Sequence, residues 1–286
     1  DHRDLHFPLR RQRQMCIRDR YSLSTAYDLS TMSLDAATSI SAVDLSHAVE
    51  FHSDGTKMFI IDNTGDRVEE YTLSTAWDTT NITHNGFYSI PTETQPRGID
   101  FKSDGTKLFV IGDDDEKIRS WTLATAWDID SGKSGGNSSN RTNGYENKPK
   151  NLQFNSDGTV IYIAGSDDDE INKLTLSTAY DTSSSSLDTS QTATTYDVSA
   201  QSNEMRGFVF IDNSSVTSLG HAAKFFITDD ISSGANTIKH YFINADPTLS
   251  SCSPADGATG VGLNDNIILT FSEIVDAESG NVAVSY

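Results

Sequence analysis

An eight-residue phrase returns four times in this chain. YSLSTAYD ends at Asp28, YTLSTAWD at Asp78, WTLATAWD at Asp128 and LTLSTAYD at Asp181, which gives repeat lengths of 50, 50 and 53 residues. A second phrase keeps the same phase: EFHSDGTKMFII, DFKSDGTKLFVI and QFNSDGTVIYIA place Ser53, Ser103 and Ser156 at spacings of 50 and 53. The three extra residues fall within IDSGKSGGNSSNRTNGYENKPKN, a loop rich in Gly, Ser and Asn. A fourth, degenerate copy runs through GFVFID from Gly207, KFFITDD and TIKHYFIN. Periods of this size belong to solenoids or propellers.

Strand signals separate the two. Each unit opens on a short apolar run (Gly98 to Phe101), turns through Ser103-Asp104-Gly105-Thr106, and enters a second run, Leu108 to Ile111. Asp-Gly between apolar runs marks a hairpin, because Gly accepts the positive φ that the turn requires. The second run is apolar at successive positions (Met58-Phe59-Ile60-Ile61, Leu108-Phe109-Val110-Ile111), so both of its faces must be covered. A third strand spans Lys117 to Leu123, and a looser fourth lies near Phe87 to Ile90. Helical periodicity is absent. Four antiparallel strands per ~50 residues, covered on both faces by flanking copies, make an all-β propeller blade. About four blades are expected over residues 21–245, preceded by a lone third and fourth strand (Tyr21 to Leu23, and about Ile40 to Leu45). The lone fourth strand could close a four-bladed ring against the last blade; a longer parent with more blades fits equally.

The pattern G-x-x-F-x-x-D-G-x-x-[LM]-[FY]-[VI], followed by a turn and an aromatic-x-L strand, resembles the YVTN, NHL and lactonase-like propeller superfamily. The resemblance implies the fold and is weak for any activity. Trp77-Asp78 and Trp127-Asp128 echo the WD-repeat dipeptide, but the Gly-His pair that opens such blades is missing. Beyond Asn244 the repeat stops, and residues 246–286 read as a linker followed by an incomplete second domain. Pro254, Gly257, Ala258, Val261, Asn264, Ile267, Leu269, Phe271, Ser272, Glu273, Val275, Gly280 and Asn281 resemble the opening of an SbsA-type bacterial Ig-like domain. Such domains are spacers on surface and secreted bacterial proteins, so the resemblance implies one module of a longer extracellular, cell-surface or virion-tail chain.

Residues 1–20, DHRDLHFPLRRQRQMCIRDR, share neither the composition nor the motifs of the repeats. They hold six of the eleven arginines in the chain, and RQRQMCIRDR resembles translated adapter read-through. They are set aside as non-native or disordered. The whole chain carries a formal charge of −20, which argues against nucleic acid or an anionic membrane surface as partner. No apolar stretch of about eighteen residues exists, so no membrane insertion is expected. With Cys16 excluded, Cys252 stands alone, and neither a disulfide framework nor a cysteine metal knuckle is available.

The turns supply the candidate sites. Asp62, Asp66, Asp113, Asp114, Asp115, Glu116, Asp167, Asp168, Asp169, Glu170, Asp229 and Asp230 all fall between second and third strands. In an up-and-down blade these turns share one rim, opposite the SDGT turns. They read as solvated hairpin turns or as a weak calcium site, without the Asp-x-Asp-x-Asp-Gly order of an EF-hand. Tyr27, Trp77, Trp127 and Tyr180 recur just before Asp, either as stacking platforms for sugar or as a repeated inter-blade contact; recurrence in every unit favours packing. Gly132-Lys133-Ser134 lacks the glycine of a P-loop, since Trp127 stands in its place. Histidines 47, 52, 84, 221 and 240 show no paired ligand spacing, and no G-x-S-x-G occurs. No cofactor or catalytic residue is assigned. Blades so alike argue for a non-catalytic binding or scaffold module recognising a protein or glycan. The alternative is a lactonase-like hydrolase with a metal at the channel mouth, which predicts unlike acidic and His side chains converging on the channel.

Overall fold

The computed structural model describes residues 17–25, 28–40, 42–90, 93–114, 116–136, 146–167, 169–182, 194–199, 202, 204–211, 223–229, 237–243, 249–254, 259 and 268–271. Apart from one 3-10 turn at Leu29–Thr31, all regular structure among them is strand. The chain opens with the hairpin β1 (Ile17–Leu23) and β2 (Met32–Ser39). The first blade is β3 (Ser46–Phe51), β4 (Lys57–Asp62), β5 (Arg67–Leu73) and β6 (Ile82–Ser89), hydrogen-bonded in that order. The second is β7 (Pro96–Phe101), β8 (Lys107–Gly112), β9 (Ile118–Leu123) and β10 (Lys133–Gly135). The third is β11 (Pro149–Phe154), β12 (Val160–Gly165), β13 (Glu170–Thr175) and β14 (Thr194–Asp197). A fourth sheet holds β15 (Met205–Ile211), β16 (Ala223–Asp229) and β17 (Thr237–Ile243), and β18 (Leu249–Ser253) pairs with β19 (Ile268–Phe271). The fold is a β-propeller of antiparallel blades followed by an Ig-like segment.

Residues 1–209 with 226–240 form one compact unit, and 210–225 with 241–286 form a second. In the second unit the pairing sets Cys252 opposite Leu269 and Ser253 opposite Ile268.

The register repeats from blade to blade. Phe51 faces Met58, Phe101 faces Leu108 and Phe154 faces Ile161, so the SDGT turn closes the same hairpin three times. The second strands are buried at five successive positions in each blade, as a strand covered on both faces must be. Alternate side chains serve different neighbours. Phe59 and Ile61 join Phe101, Leu108, Val110 and Trp121 of the second blade in one cluster, while Met58 and Ile60 join Ile40 and Val43 in another. Phe109 and Ile111 in turn meet Leu152, Phe154, Ile161 and Ile163 of the third blade. Each fully buried large side chain contributes about 1.5–3 kcal/mol of apolar transfer, and these blade-to-blade layers are the core.

Two lysines lace the junctions. Lys57 Nζ donates to the Trp127 carbonyl at 2.7 Å, and Lys107 Nζ donates to the Tyr180 carbonyl at 3.2 Å, each reaching from one blade into the next.

Two boundaries differ from the sequence reading. The fourth strand of the first blade starts at Ile82 rather than Phe87, and the lone fourth strand is Met32–Ser39 rather than 40–45. These outer strands carry polar residues on an exposed face, so apolar patterning marks only their ends. The N-terminal segment set aside at 1–20 also loses its last residues to β1. Arg20 lies 3.0 Å from Asp78 Oδ1, donates to the Trp77 carbonyl at 3.1 Å and reaches Asp35 at 3.4 Å.

Candidate functional site

The acidic turns lie between second and third strands, as their spacing implies, but the structure gives their charge partners. Asp62 is fully buried, with Arg67 Nη2 at 3.1 Å and the Leu45 N–H donating at 3.3 Å. Asp113 takes Arg97 Nε at 2.9 Å and Lys150 Nζ at 2.7 Å on one oxygen. Asp167 accepts from Asn147 at 2.9 Å with Lys148 3.5 Å away, and these hold its carboxyl below the ordinary range, the Asn147 bond foremost. Buried Asp169 accepts from the Met205 N–H at 2.8 Å, and Asp229 pairs with Lys239 at 3.0 Å. Asp66 departs the other way, since burial and then the charges of Asp62 and Asp114 push its carboxyl up. Asp66, Glu116 and Asp169 all have positive φ, at 46°, 56° and 53°, where Asp tolerates a tight turn better than branched residues. Asp114 is exposed, and Glu170 opens β13. Asp115, Asp168 and Asp230 lie outside the described residues. Among the described residues no three His, Cys, Asp or Glu side chains are placed to hold a metal ion.

Arg67 and Lys239, which pair with Asp62 and Asp229, lie in third strands, whereas both cations on Asp113 come from first strands. Pro96 faces Gly112 and Pro149 faces Gly165, so the start of each first strand stands beside the acidic turn. The second residue of that strand is His47, Arg97, Lys150 and Arg206 in successive repeats. Arg97 Nη1 lies 2.6 Å from His47 Nε2. Arg206 pairs with Glu204 at 2.8 Å. Burial lowers the His47 pKa to about 4, aided by the positive charges of Arg97, Lys150 and Arg206, so its ring is neutral at pH 7.

These strands enclose a cavity of about 580 Å³. His47, Lys150 and Arg206 line it together with Glu50, Asp100 and Gln153. Glu50, Asp100, Gln153 and Val209 are again equivalent positions of the repeat. Asp100 accepts from the Phe101 N–H at 2.7 Å and from the Phe154 N–H at 2.6 Å, which ties the second blade to the third. Burial pushes both the Glu50 and the Asp100 carboxyl up, and for Glu50 the charge of Asp100 adds to it. Two buried carboxyls that feel each other's charge favour holding a proton over ionising together.

The channel therefore corrects the expectation of blades alike throughout. His-Ala-Val-Glu, Arg-Gly-Ile-Asp, Lys-Asn-Leu-Gln and Arg-Gly-Phe-Val occupy one set of positions, uniform at the apolar third residue and unlike at the two polar ones. The signal was present in the repeat alignment; it lay three and six residues before the serine of the SDGT turn, at positions where the repeats disagree.

The recurrent aromatics are packed where a preceding blade is complete. The Trp77, Trp127 and Tyr180 N–H groups donate to Gly55, Gly105 and Gly158 carbonyls at 2.9, 3.0 and 2.9 Å, with φ of 64°, 59° and 56° at the aromatic residue. Each ring lies over the glycine of its own SDGT turn, where a Cβ would collide with it. Trp127 stacks on Phe101 at 4.8 Å and nears Phe59 of the first blade at 6.3 Å. Tyr180 packs on Phe154 at 5.3 Å, and its hydroxyl donates to the Ser156 carbonyl at 2.9 Å. Trp77 touches Phe51 at 5.5 Å but stays 50% exposed beside a second cavity lined by Arg20, Tyr21 and Asp35. Tyr27 lies outside the described residues. Lys133 of the Gly-Lys-Ser stretch starts β10, with its ammonium 4.2 Å from the Tyr88 ring centroid and donating to the Ser131 carbonyl at 3.1 Å, so it is a strand residue. His52 pairs with Asp54 and His84 with Glu69, each at 2.6 Å; His221 lies outside the described residues and His240 is in β17.

Comparison with known proteins bears on both parts of the chain. Residues 243–286 match the family model described as a bacterial Ig-like domain. No curated protein matches. Among solved structures, the chain is similar to a functionally unknown protein from Desulfotomaculum acetoxidans at 14% identity, covering 79% of this chain and 61% of that one with a TM-score of 0.44. It is also similar to a luciferin-regenerating enzyme (10% identity, 81% and 73% covered, TM-score 0.46) and to the periplasmic gluconolactonase of Pseudomonas aeruginosa (13%, 64% and 47%, TM-score 0.40). The chain thus spans about half to three-quarters of the length of these structures.

Proposed function

We propose that the chain is a binding module of a secreted or cell-surface protein, with the propeller channel as its ligand site and a protein or glycan as its partner. The observation that carries this reading is the contrast within each blade. The second strands repeat one apolar pattern, whereas the channel-facing positions depart from repetition: Glu50, Asp100, Gln153 and Val209 change chemistry from blade to blade, and the basic position varies among His, Lys and Arg. A scaffold alone needs the first feature and has no use for the second. The Ig-like match at 243–286 supports the location, because such a domain serves as a spacer in surface proteins. The test is a glycan array and a pull-down with the whole chain, repeated with Val209→Lys, which places a long cation in the channel at a half-exposed position. Saturable capture that Val209→Lys abolishes supports the channel; capture unchanged by it overturns the channel as the site.

One observation favours a second reading, a hydrolase. Glu50 and Asp100 share one cavity with His47, and a carboxyl pair that keeps one proton can act as general acid and general base. Among the described residues no three His, Cys, Asp or Glu side chains gather as a metal site, so this reading is built on the carboxyl pair. Turnover of an ester or lactone panel that Glu50→Gln abolishes, with the fold retained, would establish this reading in place of the first.

A further inference from the structure

The basic residues at one end of the channel form a collar in which two buried cations share one carboxylate. Arg97, Lys150 and Arg206 are cations at equivalent positions of the second, third and fourth blades, and His47 completes the set on the first. The carboxylates paired with them are Asp113, whose single Oδ2 serves both Arg97 and Lys150, and Glu204 on Arg206. The Lys150 side chain is only 6% exposed and that of Arg97 14%. Gathering cations this deeply costs free energy unless anions meet them, and the two buried cations Arg97 and Lys150 share one carboxylate oxygen of Asp113. The surplus stands out in a chain whose overall charge is −20. His47 reports the sign of the local field: the cations that lower its pKa outweigh Asp113, which raises it.

The orientation is equally specific. His47, Lys150 and Arg206 face the cavity, while Arg97 stands behind His47 and donates to its ring nitrogen. Arg97 Nη1 also lies 3.3 Å from His47 Nδ1, so the guanidinium covers both ring nitrogens. The collar thus offers the Lys150 ammonium and the Arg206 guanidinium to one volume. This donor set suits a group with two or three oxygens sharing a negative charge. Glu50 and Asp100 occupy the other end of the same first strands, so the channel is polarised along its length.

We propose that Lys150 and Arg206 of the collar bind an oxyanionic group, a carboxylate or a phosphate, carried by the ligand of the channel. This rests on the channel reading above and adds the chemistry of one end. The probes are inorganic phosphate and acetate, followed by thermal unfolding of the whole chain, with chloride at matched ionic strength as reference. The expected result is a saturable rise in Tm of about 3–5 °C at ten times Kd for one probe, which also identifies the group accepted. Arg206→Gln, at a side chain 37% exposed, should fold normally and lose the rise, and Lys150→Met should do the same. Lys148→Gln, 60% exposed and paired with Asp167 outside the cavity, should keep it. No rise over chloride with either probe, or an equal rise in Arg206→Gln, overturns the collar. Failure of the collar with Val209→Lys still abolishing capture would leave the channel standing as a site for an uncharged ligand.

Discussion

In the second blade, β7 and β8 lie side by side, share hydrogen bonds and come from one repeat, yet they obey different rules. β8 buries Leu108, Phe109, Val110 and Ile111 completely, and its counterparts β4 and β12 bury apolar residues at the same four positions, with Ala164 of β12 in place of Ile111. β7 places Arg97 and Asp100 where β3 has His47 and Glu50 and β11 has Lys150 and Gln153. The difference follows from what each strand touches. A strand between two blades sees a copy of itself on either side, so one solution serves every blade. A strand on the axis sees the opposite blades and whatever enters the channel, so its polar positions are free to diverge.

The largest effect should come from breaking the uniform side. Phe109→Ala leaves a void between second and third blades and should cost about 3–5 kcal/mol in denaturant unfolding, with anion binding preserved in the folded fraction. A loss below about 1 kcal/mol would contradict burial on both faces. Gly105→Ala comes next. Its φ of 72° and the Trp127 ring above it should together cost about 2 kcal/mol and shift tryptophan emission toward water. Combined with Trp127→Ala it should cost less than the sum of the two single changes, because the collision is then gone.

On the channel side the effect should be smaller and opposite in sign. The Glu50 carboxyl titrates above its ordinary value of 4.5 in the folded protein, so the folded state binds the proton more tightly than the unfolded chain. Glu50 therefore lowers stability progressively as pH rises above 4.5, until its folded-state pKa is passed. Glu50→Gln should raise stability by about 1–2 kcal/mol at pH 8 and by little at pH 4. An unchanged pH profile would show that the carboxylate is well solvated. Asp104, in the SDGT turn, is the smallest case. Its hydrogen bonds from Lys102 and Thr106 hold its pKa near 2. Its stabilising contribution is present above pH 3.8 and is lost as pH falls toward 2, so Asp104→Asn should shift Tm slightly at pH 7 and not at pH 2.

The second strands were legible in the sequence because burial on both faces leaves an unbroken apolar run, and the SDGT turns because Gly105 and its equivalents need a positive φ. The collar was not. Arg97 and Lys150 read as ordinary charged residues until Asp113 is found between them, 37 residues from Lys150. The same holds for the acidic turn GDDDE: Asp113 reads as one of a run of like charges, and its counter-ions Arg97 and Lys150 belong to strands of the same and the next blade. β6 is longer than its sequence pattern suggests because its solvent face, with His84 and Asn85, resembles a loop. Arg20 reads as one of a run of basic neighbours, although it holds Asp78 and the Trp77 carbonyl.

The two lacing lysines give the propeller a mechanical direction. Lys57 and Lys107 each reach forward to the carbonyl of the following blade's aromatic, and the equivalent residue of the third blade is Val160, which carries no amine. Tension applied along the polypeptide would then meet riveted seams at the first two junctions and a seam without that rivet at the third. Under load the seam after β14 would be held instead by Asn151 donating to the Phe208 carbonyl and the Met205 N–H donating to Asp169, bonds that reach into the fourth blade without an ammonium.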